Sequence, residues 1–466
     1  MNRLTLHYKT EIYFYMSTAK IDYEKTSIGK LFVKQLVPSI LGMAFTALFV
    51  IADGIFVGRG IGSDALAAVN IIAPLFTIMT GVGLMFGMGA AIIATIHLSK
   101  RKKKSADIVI TQSFVVSSLI MLLFTILAVY FPKQIAMMLG APESLIEMAT
   151  EYLIYLSCFS VFQTAISSLP FFVRISNPNY SLICLSIATI LNIVLDYVFI
   201  FIFKWELMGA AVATGIGQVI ATLMLVLYLT KNSAGLRFVK LHITLKNIRY
   251  ALRNTITIAH LGFAVLLSEI TISIMSIAGN YTFSFYTGVA GVAAFGIINY
   301  LFPIVYMIFN AIIQSAQPII SYNYGQNSKG RYIGALRLAI MTAIVVGGIF
   351  VVISTVFNQQ LVSLFIPDRT DPAWIIAVTG LPYFSLDFIF FGINIIAIGY
   401  YMSVQNTRRA MTFTIVRGAL PVICFMVIPI WLDVKGIWLS VPIAEILTAL
   451  VIFIIIVKNK ISERKK

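Results

Sequence analysis

The chain is poor in charge. Only 11% of its 466 residues are Asp, Glu, Lys or Arg, against about 25% in an ordinary soluble protein. That shortage excludes a string of water-soluble domains. Cysteine is scarce too: Cys158, Cys184 and Cys424 fall in apolar segments at unrelated spacings, which argues against a disulfide framework or a thiolate metal cluster and leaves small-residue packing. No HExxH, GxSxG, Walker A or CxxC pattern occurs, and no acid is paired with a histidine at a useful spacing, which disfavours a membrane-embedded enzyme. His97 and His260 are isolated and read as structural. No filter-like repeat suggests a channel, and no ten-residue unit alternates polar and apolar residues as a barrel strand does. A cleavable signal sequence is not expected either. Residues 1–27 are polar and mixed, Met16 precedes "STAKIDYEKTSIGK", and the first fifteen residues read as a poorly ordered extension from an upstream start.

What the chain has in abundance is apolar length: 59% of its residues are hydrophobic. Twelve segments, 35–57, 65–98, 108–131, 145–172, 180–203, 209–229, 254–278, 288–320, 333–357, 373–401, 411–431 and 436–457, each reach the ~20 residues that carry a helix across a bilayer core. The expected fold class is an all-α integral membrane protein. Its loops are asymmetric in charge. Of the 34 Lys and Arg residues, 28 fall on one side of this arrangement and 5 on the other, while Arg417 alone lies within a span. Basic loops stay cytoplasmic, so both termini are expected in the cytoplasm, and the net charge of +16 is assigned to topology rather than to nucleic acid.

The polar segment "TKNSAGLRFVKLHITLKNIRYALRN" (230–254) divides the spans six and six. The expected organisation is an arm at 1–27, an amino-terminal lobe at 28–229, a cytoplasmic linker at 230–253, a carboxy-terminal lobe at 254–457 and a tail at 458–466. "LAAVNIIAPLF" (66–76) aligns with "VAAFGIINYLF" (292–302) at an offset of 226, and "GAAVATGIGQVIATLM" (209–224) with "GIWLSVPIAEILTALV" (436–451) at 227. Near-equal offsets at opposite ends of the unit point to a duplication. Because each repeat has an even number of spans, the halves share one orientation, related by an axis along the membrane normal. Gly83, Gly87 and Ala91 fall at small-xxx-small spacing, which suits close helix approach.

Five acids lie within spans: Asp53, Asp196, Glu269, Asp387 and Glu445. A carboxylate in the bilayer core is costly and marks function by default. Asn192 and Asp196 share a helix face at i,i+4, as do Tyr383 and Asp387, and Thr214 follows in the sixth span. Such oxygens suit a hard cation such as Na⁺, and a carboxyl in apolar surroundings also carries a proton; the residues leave both open. Glu445 has no partner nearby in sequence, and a packing role is expected for it. Phe171, Phe172, Tyr300 and Tyr306, with Met85, Met88 and Met307, are expected to line a cavity for flat, lipophilic cations.

The set "IADGIFVGRGIGSDALAAVNIIAPL", "NIVLDYVF", "GAAVATGIGQ" and "QSAQPIISYNYGQNSKGR", in that order, resembles the multidrug and toxic compound extrusion (MATE) family over residues 28–457. The resemblance implies a V-shaped pair of six-helix lobes, working as a monomer in a bacterial cytoplasmic membrane and exchanging lipophilic, mostly cationic drugs or metabolites for Na⁺ or H⁺. No other cofactor is implied. In DinF-like members the amino-terminal lobe holds the cation, and the matching positions are Asp53, Asn192, Asp196 and Thr214, with Pro38 as the bending proline and Phe49 where some members carry tyrosine. In NorM-like members the carboxy-terminal lobe does so, and the matching positions are Glu269, Tyr383 and Asp387. Carrying both sets resembles the MepA-like branch. A lipid-linked-sugar flippase of the same superfamily is the alternative. It needs a cationic cavity, whereas Arg417 is the one mid-span base against five acids.

Overall fold

A computed structural model describes residues 22–139, 141, 143–231, 235–241, 245–366 and 368–464. Residues 1–21, with Met16, lie outside the described residues, as do the side chains of Phe49, Arg59 and Tyr300.

Every regular element among the described residues is helical, as lipid requires of a chain that must satisfy its own backbone. In order they are α1 (Ile28–Gly60), α2 (Ser63–Ser99), α3 (Lys103–Tyr130), α4 (Pro132–Met138), α5 (Ile146–Cys158), α6 (Ser160–Arg174), α7 (Pro178–Asp196) and α8 (Glu206–Lys231). There follow α9 (Arg249–Gly288) and α10 (Ala290–Gly325), then α11 (Lys329–Val356), α12 (Asn358–Ser363), α13 (Pro372–Ser385), α14 (Asp387–Ser403), α15 (Thr407–Val427) and α16 (Pro429–Arg464). Among the described residues ten helices are long and apolar enough to cross a membrane, and the bent pairs α5–α6 (51°) and α13–α14 (43°) make the total twelve if each is one span. The twelve expected segments therefore all find a helix or a bent pair.

The starts of several helices are written in the sequence. Asn177 and Asp371 each precede a proline that occupies the first turn, and their side chains accept from the backbone N–H of Tyr180 and Ala373; Asn406 caps α15 through Arg409 N–H. These are the cap residues and the N1 proline that orphan helix donors favour. Between α9 and α10 the helix breaks at Gly288 (φ 62°), a left-handed position that costs glycine nothing.

The duplication is visible in the backbone itself. After α2, Arg101 has φ 57° and Lys102 N–H bonds to His97 O; after α10, 226 residues on, Asn327 has φ 56° and Ser328 N–H bonds to Asn323 O. Lys204 and Asp433, 229 apart, are likewise both at positive φ. Two halves that spend left-handed residues at matching places share one chain path.

The chain divides into two compact units. The first runs to Leu266 and includes Ser321–Lys329 at the end of α10. In it α2 lies against α6 at the small-residue stripe. A Cβ on Gly83 would stand 2.6 Å from Thr164 O, and one on Gly87 2.7 Å from Ser168 Cα, so the backbones meet as the spacing predicted. At its amino-terminal edge Tyr23 is buried, donates to Ile175 O (2.8 Å), accepts from Gln35 Nε2 (3.1 Å) and stacks on Tyr322. Burial pushes its phenol above the usual range. The linker is fixed to α3 through its backbone: Arg237 N–H donates to Asp107 Oδ1 (3.0 Å) and Val239 N–H to Thr111 Oγ1 (3.1 Å). The second unit covers Leu267–Ile320 and Gly330 onward. There Trp438 packs over Gly380, Phe309 over Gly392 and Thr271 against Gly418. Long apolar side chains on α3 and α11, such as Leu119, Leu123, Val345 and Val352, stay exposed, as a lipid-facing surface demands.

Candidate functional site

Each unit holds its own cluster of buried acids. In the first unit α7 ends at Asp196, where the helix widens into a π-type turn at Tyr197–Ile202. Such a turn frees backbone groups and re-aims side chains, and it recurs at functional sites. Asn192 Nδ2 donates to Thr214 Oγ1 on α8 at 3.1 Å. Asn192 Oδ1 and both carboxylate oxygens of Asp196 are buried without a hydrogen-bond donor. Three acceptor oxygens one helical turn apart, none of them met by a donor in good hydrogen-bonding geometry although the Asn192 amide acts on the Asp196 carboxylate, form a place that suits a cation or a proton.

Asp53, partly buried on α1, is within electrostatic reach of Asp196, and both act on the Tyr152 hydroxyl of α5. The ring of Tyr152 belongs to a core cluster with Val57, Ile72, Leu153 and Ile200. Sequence reasoning missed Tyr152, because nothing local marks it: it reaches the acids only through the packing of α5 against its neighbours. Beside the cluster, Gln218 Nε2 donates to Gln163 Oε1 (2.5 Å) and Gln163 Nε2 to Thr80 Oγ1 (2.7 Å). Pro38 is buried inside α1, where it frees the Lys34 carbonyl from its helical partner.

In the second unit Tyr306 Oη on α10 donates to Glu269 Oε1 on α9 at 2.6 Å. The α13–α14 bend falls at Leu386, between Tyr383 and Asp387. The two residues of the expected i,i+4 pair differ in burial across it: Asp387 is fully buried, whereas Tyr383 is 38% exposed. Both Asp387 oxygens lack a partner. Glu445, which had no partner in its own stretch, finds two on other helices. It accepts from Arg417 Nε (2.7 Å) and from Asn394 Nδ2 (2.6 Å). The guanidinium carbon of Arg417 stands 4.5 Å from the centre of the Phe391 ring.

The apolar residues expected to line a cavity are divided. Phe171, Phe172, Met85 and Met88 are each less than a tenth exposed, inside the first unit, and are used in packing. Tyr306 is engaged by Glu269. All three cysteines are free. Among the described residues no group of three or more His, Cys, Asp or Glu side chains is gathered as for a metal ion; the cluster around Asp196 is completed by amide and hydroxyl oxygens, which suit Na⁺ better than a transition metal.

The MatE family model matches twice, at residues 38–198 and 264–428, beginning 226 residues apart, the offset of the internal repeat. The chain is 24% identical over 440 residues to the multidrug export protein MepA of Staphylococcus saprophyticus, covering 93% of this chain and 94% of that one. It is 26% identical over 441 residues to MepA of Staphylococcus aureus, with the same coverage. Among solved structures, a MATE protein in complex with MaL6 is similar at a TM-score of 0.87 and 20% identity over 97% of this chain and 100% of that one. An outward-facing multidrug resistance MATE transporter is similar at 0.86 and 21%, over 96% and 99%.

Proposed function

The chain belongs to the MatE family of membrane transporters, and on that premise we propose that it is a multidrug exporter driven by Na⁺ or H⁺ through alternating access. The observation that carries the coupling is the trio of donorless buried oxygens on Asn192 and Asp196. An ion that binds there neutralises a charge the apolar interior otherwise pays to hold. If it binds one conformational state better than the other, its entry shifts the population, and only that difference in affinity drives the cycle. In this reading Asp53, Asn192, Asp196 and Thr214 hold the coupling ion, with Pro38 as the bending point of α1. Glu269 and Asp387, with Tyr383 at the bend above, receive a lipophilic cationic substrate or a second ion.

The same reading puts the protein in a bacterial cytoplasmic membrane as a monomer with both termini inside; the 28-to-5 loop charge asymmetry supports that orientation. A flippase for lipid-linked pyrophosphates is disfavoured. It needs a cationic cavity, whereas the buried Arg417 is bonded to the carboxylate of Glu445.

Transport in proteoliposomes tests the proposal. Tetraphenylphosphonium movement is followed under an imposed Na⁺ gradient at constant pH, then under a pH gradient without Na⁺. One of the two gradients should drive it, and Asp53→Asn and Asp196→Asn should remove the driven component. If neither gradient drives movement, or if Asp53→Asn retains full export, the assignment of coupling to the first unit is wrong.

A further inference from the structure

Asp387, Phe391 and Asn394 follow one another on α14 at i, i+4 and i+7, so they form one stripe along the helix. Arg417 lies over the middle of that stripe, against the Phe391 ring. At one end Asn394 and Arg417 both bond Glu445. At the other end Asp387 has two oxygens without a donor, while Arg417 Nη1 is a buried nitrogen without an acceptor. Glu445 and Arg417 are the charges that act on Asp387, and Arg417 acts on Glu269 and Tyr306 as well. One guanidinium is therefore bonded to one carboxylate and acts electrostatically on two others.

The fold alone does not call for these charges. At the offset of 229 that relates Asn177 to Asn406, the counterpart of Arg417 is Ala188. At the offset of 227, the counterpart of Glu445 is Gln218, which satisfies itself with the neutral Gln163. The first half builds the same helices with an alanine and an amide. The second half has placed an ion pair there, and a buried ion pair is weak evidence for stability in its own right.

We infer that Arg417 is a resident cation of the second unit: a positioning residue that neutralises Asp387 and Glu269 when their site is empty and withdraws onto Glu445 when a cationic substrate or coupling ion takes its place. Glu445 and Asn394 are the berth to which it withdraws. The inference rests on the reading of Asp387 as a cation-binding acid and adds the group that competes for it. A site built this way releases its cargo without leaving a bare carboxylate in the membrane interior.

The sign of two charge deletions tests this. Binding of tetraphenylphosphonium to the purified full-length protein is measured in the absence of any gradient. Removing the competitor in Arg417→Gln should tighten binding about 10-fold, and removing the berth in Glu445→Gln should weaken it about 10-fold, within the usual range of coupling between groups. Arg417→Lys should stay near the wild type. An ion pair that only holds the helices together would make both deletions weaken binding. Should Arg417→Gln alone fail to fold, Arg417→Gln/Glu445→Gln, which leaves the pair uncharged as its counterpart in the first half is, should still bind more tightly than Glu445→Gln. Shifts of the same sign, or no difference between the double variant and Glu445→Gln, overturn the role of Arg417. Asp387→Asn separates the two layers. If it leaves affinity unchanged, the cation-binding reading of Asp387 fails and this inference with it; if it weakens binding while the signs are not opposed, only the inference fails.

Discussion

Replacing Asp196 by Asn exchanges one donorless carboxylate oxygen for an amide that has protons to give. In the wild type, Asn192 Oδ1 and both Asp196 oxygens lie buried without a donor, and each such acceptor costs about 1–3 kcal/mol when nothing meets it. The new amide stands one turn from Asn192 and can donate to its oxygen. The cation-free protein at alkaline pH should therefore gain about 1–3 kcal/mol of stability from Asp196→Asn, and more if the wild-type carboxylate is held ionised. The wild type should recover the difference when its ion is supplied, because a ligand at one hundred times its dissociation constant adds about 2.7 kcal/mol to the native state. The variant should gain nothing. Thermal unfolding of the purified protein, in Na⁺ against K⁺ buffer and in acid against alkali, reads both effects at once and identifies the ion. A variant that is less stable than the wild type in cation-free alkaline buffer, and that is still stabilised by Na⁺ or by acid, would refute the reasoning.

Two further outcomes follow from the geometry. Tyr306→Phe removes a 2.6 Å donor from Glu269; in a double-mutant cycle with Glu269→Gln, unfolding should give a coupling of about 1.5–3 kcal/mol, the range for a hydrogen bond to a charged group. Gly83→Val drives a side chain into the Thr164 carbonyl and should cost about 1–3 kcal/mol or more by overpacking, seen as lost monodisperse protein, whereas Gly348→Ala, which meets nothing within 4 Å, should be silent.

Much of the architecture was legible because the bilayer imposes simple rules. Length and apolarity located the spans, loop charge suggested their direction, and the glycines of α2 announced its approach to α6. Asp53, Asn192 and Asp196 stood out because a charge or amide is conspicuous in an apolar run. What escaped was everything set by contacts between distant segments. Arg417 and Glu445 lie 28 residues apart on different helices, so neither advertises the other. Tyr152 looks like any interfacial aromatic until α5 is packed. The bends at Phe159 and Leu386 fall at non-proline residues, the second four residues past Pro382, so the sequence did not place the difference in burial between Tyr383 and Asp387. Asn394 was within reach: it continues the Asp387 stripe by two turns, and a search at i+7 finds it.

The tether of the linker to α3 has a consequence for how this region tolerates change. Asp107 and Thr111 take hold of the amide hydrogens of Arg237 and Val239, whereas the Arg237 side chain is 54% exposed and stands 3.8 Å from Asp107, an exposed contact of little energetic weight. The receptors are particular residues, but what they receive is a feature nearly every amino acid possesses. An alanine scan of the linker would pass over both positions, and related sequences are free to spell the segment differently while laying it along the same path. Proline, which has no amide hydrogen, is the one residue that either position should refuse.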